Sequence, residues 1–301
     1  VSKKLEVITG RNYLSYSSMS SWLECGKRFE LERVYNAPQT GAWYFLGGNA
    51  VHKASEYLDL GETDDSHAAW SRAWAEELAN VEPGTEIKAG GRKSKQWPDK
   101  ENKDWWEYHG PQFVESWRLW TQEKFREGWT WLHHGPNDVP AIEVPVQFEF
   151  EDVLVKGYID RVMVDPNGQV IVVDLKTGSR EPNSSLQLAI YALGLQRNIG
   201  VTASLGGYWM ARQGDIPTQH SLSHLTDELV GSWFKGVQTG IENEIFVPKV
   251  GPLCNSCSVQ AYCPAVGGNQ DALTRPTIPL EPVAHQRNVS QDDTNTTKED
   301  A

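Results

Sequence analysis

Between residues 141 and 176 the chain alternates apolar and polar residues in three runs, IEVPVQFEF, VLVKGYIDRVMV and VIVVDLK, the last two separated by Asp165-Pro166-Asn167-Gly168. Period-two alternation marks a strand with one buried face, and Asn-Gly after Asp-Pro signals a tight turn, so the segment reads as three antiparallel strands. Charged residues interrupt these strands among Val, Ile and Leu: Asp160 in GYIDRV, and Asp174 with Lys176 in VVDLK. Residues two apart on a strand point the same way, so Asp174 and Lys176 share a face, and hairpin pairing brings Asp160 beside them. Two carboxylates and an ammonium are costly to bury without a compensating ion. A hard divalent cation, Mg²⁺ or Mn²⁺, supplies that compensation through carboxylate oxygens. Taken alone, a D-x-K triplet is equally an ordinary cross-strand salt bridge, worth about 1 kcal/mol if exposed.

Helical spacing surrounds the strands. Ser17 or Ser18 is placed to cap a helix carrying Trp22, Leu23, Cys25 and Phe29; a second helix follows Gly47-Gly48-Asn49 and carries His52; Asp65 to Ala79 reads as a third. Residues 83–104 hold six Lys or Arg, a Gly-Gly and two Pro, which predicts an exposed loop before a long Trp-rich helix. Nine of the thirteen tryptophans lie between Trp70 and Trp131, so this region is expected to be helical and packed through aromatics. After the D-x-K strand, SSLQLAIYALGLQRN returns to helical spacing, with Gln187 and Tyr191 four apart on one face. A strand, ASLGGYWMAR, and a last helix, HLTDELVGSWFKGVQTGIEN, follow. This order predicts an α/β core with a leading or inserted helical part. The expected divisions are 1–46, a helical segment with the first cysteine; 47–140, Trp-rich with the basic loop; 141–245, the core; 246–268, the remaining cysteines; and 269–301, a polar tail expected to be disordered.

With 301 residues, 39% of them apolar, the chain can bury a sizeable core. No run approaches the roughly 20 apolar residues of a membrane-spanning helix, and VSKKLEVITG lacks the apolar run of a signal peptide, so the expected location is cytoplasmic. The net charge of -12 argues against a uniformly basic nucleic-acid coat but not against a local groove, and residues 271–301 contribute -3 of it. A groove could draw on Lys88, Arg92, Lys93, Lys95, Lys100 and Lys103 with Trp97, where ammonium groups meet phosphates and the ring stacks on a base. Four acids among these bases make a solvated loop the competing reading. Arg161 suits either a phosphate or a salt bridge, and Glu143 either an outer contact of the site or a solvated strand position. Four cysteines are too few for a disulfide scaffold. Cys25 stands alone, while Cys254, Cys257 and Cys263 form C-x2-C-x5-C followed by Pro264. Four thiolates suit an iron-sulfur cluster or zinc, with two disulfides as the remaining alternative. No G-x-x-x-x-G-K-[ST] segment occurs, so ATP-driven motion would need another protein.

The set of His52 behind its Gly-Gly, GYID with Asp160, DLK with Asp174 and Lys176, and QLAIY with Gln187 and Tyr191 resembles the PD-(D/E)XK nuclease superfamily, in its RecB-like branch. The one-plus-three cysteines are similar to those of the iron-sulfur nucleases that include CRISPR-associated and AddB-type exonucleases. The resemblance spans roughly residues 13–268. It implies a restriction-endonuclease-like core, a mixed central sheet flanked by helices, with a helical insertion and an iron-sulfur clamp joining the N- and C-terminal segments. By the same resemblance His52, Asp160, Asp174 and the Leu175 carbonyl would hold Mg²⁺ or Mn²⁺, and Lys176 would serve catalysis. Gln187 and Tyr191 would support the site and contact DNA, and Cys25, Cys254, Cys257 and Cys263 would ligate one [4Fe-4S] cluster. The implied activity is a metal-dependent DNA exonuclease at single-stranded ends. The alternative is a DNA-end-binding or processing subunit of a recombination, repair or CRISPR-type complex, active only with a partner.

Overall fold

The computed structural model describes residues 2–90 and 100–276. Helices α1 (Lys3–Thr9) and α2 (Tyr16–Glu24) open the chain. Ser15, not Ser17 or Ser18, caps α2: its hydroxyl accepts the Ser18 amide at 3.2 Å, and the Ser18 hydroxyl accepts the Ser15 amide at 2.8 Å. This reciprocal box satisfies two amides that would otherwise lack partners. Cys25 lies at the corner between α2 and α3 (Gly26–Phe29), in extended backbone, rather than on a helix. A π-helical turn, Glu30–Val34, follows.

A two-residue strand β1 (Gly41–Ala42) leads into α4 (Trp43–Asp59), then α5 (Ser66–Ala79), capped by Asp65 as its sequence suggests. Gly47 and Gly48 lie inside α4 instead of ahead of it. The reason is packing: a Cβ at Gly47 would sit 2.0 Å from the Trp106 ring, so only glycine lets the two helices close. Strand β2 (Ile87–Lys88) pairs with β1 in parallel, and α6 (Lys103–Arg126) is the long Trp-rich helix. Arg92, Lys93, Lys95 and Trp97 of the expected DNA-contact loop lie outside the described residues, as do residues 277–301 of the polar tail.

The rest builds the central sheet: β3 (Thr130–Trp131), β6 (Ile142–Phe150), β7 (Val153–Val164), β8 (Val170–Lys176), β9 (Leu205–Met210) and β10 (Gln219–Ser221), with a separate small hairpin, β4 (His133–His134) and β5 (Val139–Pro140). The order is β10-β9-β8-β7, and both β6 and β3 pair with β7. Strands β6, β7 and β8 form the expected antiparallel meander. At the β7–β8 turn the Asp165 carboxylate accepts the Asn167 and Gln169 amides, and Gly168 takes φ +80°, which favours glycine. The sheet is mixed because α7 (Leu186–Ile199) carries the chain from β8 to a parallel β9.

Helix α8 (Asp227–Glu242) completes the fold, and two cores sandwich the sheet. On one face α1, α2, α7 and α8 bury Val146, Phe148, Val155, Ile159 and Val172. On the other, α4, α5 and α6 pack Trp70, Trp74, Trp105, Trp106, Trp117 and Trp120 against Met163, Ile171, Val173 and Trp209. Burying each such side chain removes about 1.5–3 kcal/mol of apolar surface from water, and the tryptophans therefore serve mainly as core. The two ends of the described chain interlock. Phe29 stacks on Phe246 with centroids 6.2 Å apart, and the Ser258 hydroxyl donates to Glu32 at 2.6 Å. Among the described residues no helix is long and apolar enough to cross a membrane.

Candidate active site

The β7–β8 ladder runs as far as Arg161 opposite Val173, and one step further places Asp160 opposite Asp174. There the Asp160 carboxylate takes the place of a strand: its Oδ2 accepts the Leu175 amide at 2.9 Å. Alternation along β8 sends Leu175 into the tryptophan core and turns Asp174 and Lys176 to the α7 side. Lys176 Nζ lies 2.6 Å from Asp174 Oδ2. From the first turn of α7, Gln187 Nε2 donates to Asp174 Oδ1 at 2.9 Å and to the Tyr191 hydroxyl at 2.8 Å. From α4, His52 Nδ1 approaches Asp160 Oδ2 at 3.2 Å. Gln187 and Tyr191 are both buried, and Gln187 holds the Asp174 carboxylate.

Burial pushes the Asp174 carboxyl up to about 6; Lys176 opposes the rise and Asp160 adds to it. For Lys176, burial works to lower the ammonium, but Asp174 and Asp160 outweigh it and hold the group above its usual value. Lys176 is therefore a hydrogen-bond donor here, not a ready proton acceptor.

Glu143 is more deeply involved than its sequence position suggests. It is buried and carries φ +50°, a left-handed conformation that costs a residue with a Cβ about 1–3 kcal/mol and persists only when its surroundings impose it. Opposite it, β7 loses its alternation: Ile159 and Val162 both enter the α7-side core, while Met163 enters the other. The break turns the Glu143 carboxylate inward, and ligand atoms of His52, Glu143 and Asp160 all lie within 4.8 Å of one another. One imidazole and a set of carboxylates suit a hard divalent cation such as Mg²⁺ or Mn²⁺, which tolerates remaining water ligands.

Arg161 does not face a phosphate. Its side chain is fully buried, with Nε 2.6 Å from Asp59 Oδ2 and Nη1 3.2 Å from Glu143 Oε1, and it also donates to the Asp160 carbonyl at 2.6 Å. Burial would lower it, yet Asp59 and Glu143 hold it above its ordinary value. Asp59 went unremarked in the sequence, although one signal existed: it lies seven residues after His52 on α4, so both project from one face. That face meets the adjacent pair Asp160 and Arg161, His52 to the first and Asp59 to the second.

At the far end of the chain the Lys249 amide donates to Cys25 Sγ at 3.4 Å, and the Gly251 amide to Cys254 Sγ at 3.4 Å. Burial raises the Cys257 thiol, and Cys25 stands near enough to add to the effect. The four sulfurs are not gathered into a tight cage: among the described residues, the metal-ligand cluster of His52, Glu143 and Asp160 includes no cysteine.

Comparison with known proteins agrees with this geometry. The chain is 27% identical over 271 residues to the Gene 69 protein of Mycobacterium phage D29, covering 83% of this chain and 96% of the relative. It is also 27% identical over 286 residues to the Gene 69 protein of Mycobacterium phage L5, covering 83% and 95%. A crystal structure of SSO0001 aligns over 87% of this chain and 93% of its own at 14% identity, with a TM-score of 0.37, too low to carry an argument. A sequence model of the PD-(D/E)XK nuclease superfamily matches residues 13–264, a span that takes in α4, the meander and α7, and to that superfamily the chain belongs.

Proposed function

We propose that the protein is a metal-dependent deoxyribonuclease that acts as an exonuclease on single-stranded DNA ends. The observation that carries the reading is the convergence of Asp160, Asp174 and Lys176 at the end of two buried strands, with His52 and Glu143 completing a donor set. His52, Glu143, Asp160 and Asp174 would hold Mg²⁺ or Mn²⁺, with the Leu175 carbonyl as a further ligand. When bound, the ion supplies Lewis-acid stabilisation of phosphoryl charge and a more acidic water. The Lys176 ammonium orients the attacking water and offers a donor to the phosphoryl oxygens. Gln187 holds Asp174 in one rotamer, and Tyr191 holds Gln187. Hydrolysis joins the water oxygen to phosphorus and breaks the bond to the 3′ oxygen, which leaves with a proton, giving a 5′-phosphate and a 3′-hydroxyl.

End-labelled single strands of each polarity, incubated with Mg²⁺ or Mn²⁺ and with chelator, test the reading. Lys176→Ala should lower cleavage about a thousandfold, the scale of removing one charge-stabilising donor, while strand binding persists. Undiminished cleavage by pure Lys176→Ala protein would overturn the assignment.

A [4Fe-4S] cluster on Cys25, Cys254, Cys257 and Cys263 belongs to the same proposal. Support comes from the packing of Cys25 under Lys249 and from the interlocked chain ends. Four thiolates equally suit a tetrahedral zinc ion. Anaerobic purification with iron, sulfide and zinc analysis decides between the two metals.

A further inference from the structure

Helix α4 carries a feature that the hydrolytic site does not use. At its first turn Tyr44 and Phe45 are exposed, 40% and 51%, with ring centroids 4.3 Å apart. About half of each ring stays open to solvent, more than core packing requires. Tyr44 is braced: its ring lies against Gly90, where a Cβ would come within 2.6 Å of Cδ1. Phe45 stands outside this brace.

Position ties the pair to the site. Phe45 and His52 are seven apart and project from one face of α4, separated by about 10.5 Å along the helix axis. Between them on that face lies Gly48, whose missing Cβ would be 3.1 Å from the Thr177 hydroxyl. Thr177 directly follows Lys176. The face therefore carries His52 of the metal-ligand cluster, a glycine beside the strand that bears Lys176, and Phe45.

We propose that Tyr44 and Phe45 form a stacking subsite for a nucleobase of the single strand, close in sequence to the scissile phosphate, with Phe45 as the platform and Tyr44 as its support. This deepens the nuclease reading and rests on it. A base has a π-face whatever its identity, so such a platform tolerates any sequence, as an end-degrading enzyme requires. The charged neighbours of Tyr44 are Arg28 and the carboxylates Glu32, Glu24 and Glu101.

The test measures binding of an oligothymidine and of an abasic strand of equal length, both in Mg²⁺, to the Lys176→Ala protein and to the same protein with Phe45→Ala or Phe45→Trp added. Stacking on one base corresponds to a roughly five- to fiftyfold change in Kd. Phe45→Ala should weaken oligothymidine binding by that factor and leave abasic binding nearly unchanged, and Phe45→Trp should restore it. Equal losses on both strands, or no loss on either, would overturn the subsite, as would a change of oligomeric state with unchanged strand binding. Failure of the nuclease reading looks different: the protein with Lys176 intact would cleave neither strand in Mg²⁺ or Mn²⁺. Phe45 is exposed and Lys176 half-buried, and a thermal melt confirms that the variants fold.

Discussion

Replacing Arg161 by methionine removes a fully buried cation between two buried carboxylates and keeps the bulk of the side chain. Breaking a buried ion pair from one side costs about 3–5 kcal/mol, because the partner charge stays behind. Here the lower end applies. Burial already holds the Asp59 carboxyl up at about 6, with Arg161 as the main influence pulling it down, so without Arg161 it rises further and takes a proton instead of remaining charged. A loss of about 3 kcal/mol corresponds to a fall in Tm of roughly 5 °C for a chain of this size. The pH dependence carries a sign. A carboxyl whose folded value lies above its unfolded one contributes stability below the unfolded value and loses it as pH rises through the folded one. The Arg161→Met protein should therefore be least stable above neutral pH and recover toward pH 5. Adding Asp59→Leu removes the stranded carboxylate and should restore part of the loss. Urea melts at pH 5 and pH 8 measure all of this. A single variant within 1 kcal/mol of the parent at both values, or a double variant less stable than the single, would refute the account of Arg161 as a cation pinned by its partners.

Other perturbations test separate parts of the structure. Gly47→Ala drives a methyl into the Trp106 ring and should cost about 1–3 kcal/mol by chemical denaturation, with no rescue by metal. Glu143→Gln keeps the shape and removes a ligand charge, so the Kd for Mn²⁺ measured by calorimetry should rise about tenfold or more. Gln187→Leu leaves Asp174 Oδ1 without its donor; cleavage should fall about 10- to 100-fold while Tm changes little, which a rate assay paired with a melt will show. Cys25→Ala should lose iron and lower Tm, and an iron content and Tm equal to the parent's would defeat the clamp.

Much of the site was legible in the chain because it follows local rules. The meander obeys period two and Asp165 to Gly168 is a turn on chemical grounds, so the meeting of Asp160, Asp174 and Lys176 follows from spacing, whereas Gln187 joins them only through the family resemblance. What stayed hidden depends on tertiary contact. Glutamate has no preference for a left-handed backbone, so nothing in IEVPVQF announces that Glu143 turns inward. The glycine pair in α4 looks like a helix start until Trp106 is found lying on it. Arg161 suits a phosphate or a salt bridge until the fold is known, because its partner Asp59 lies far away in sequence and only packing of α4 onto β7 joins them.

The interlocking of the chain ends also bears on how the molecule is made. Leu5, Ile8 and Met19 of α1 and α2 share a core with Val230, Phe234 and Ile241 of α8, made roughly 220 residues later. At the ribosome's pace of about 5–20 residues per second, α1 waits on the order of 10–40 s before its partner emerges. The tryptophan core is different: α4, α5 and α6 have their partners by Ile216, before α8 begins. The half of the molecule built on α4, α5 and α6 can thus assemble first, leaving the apolar faces of the N-terminal helices uncovered until α8 is made.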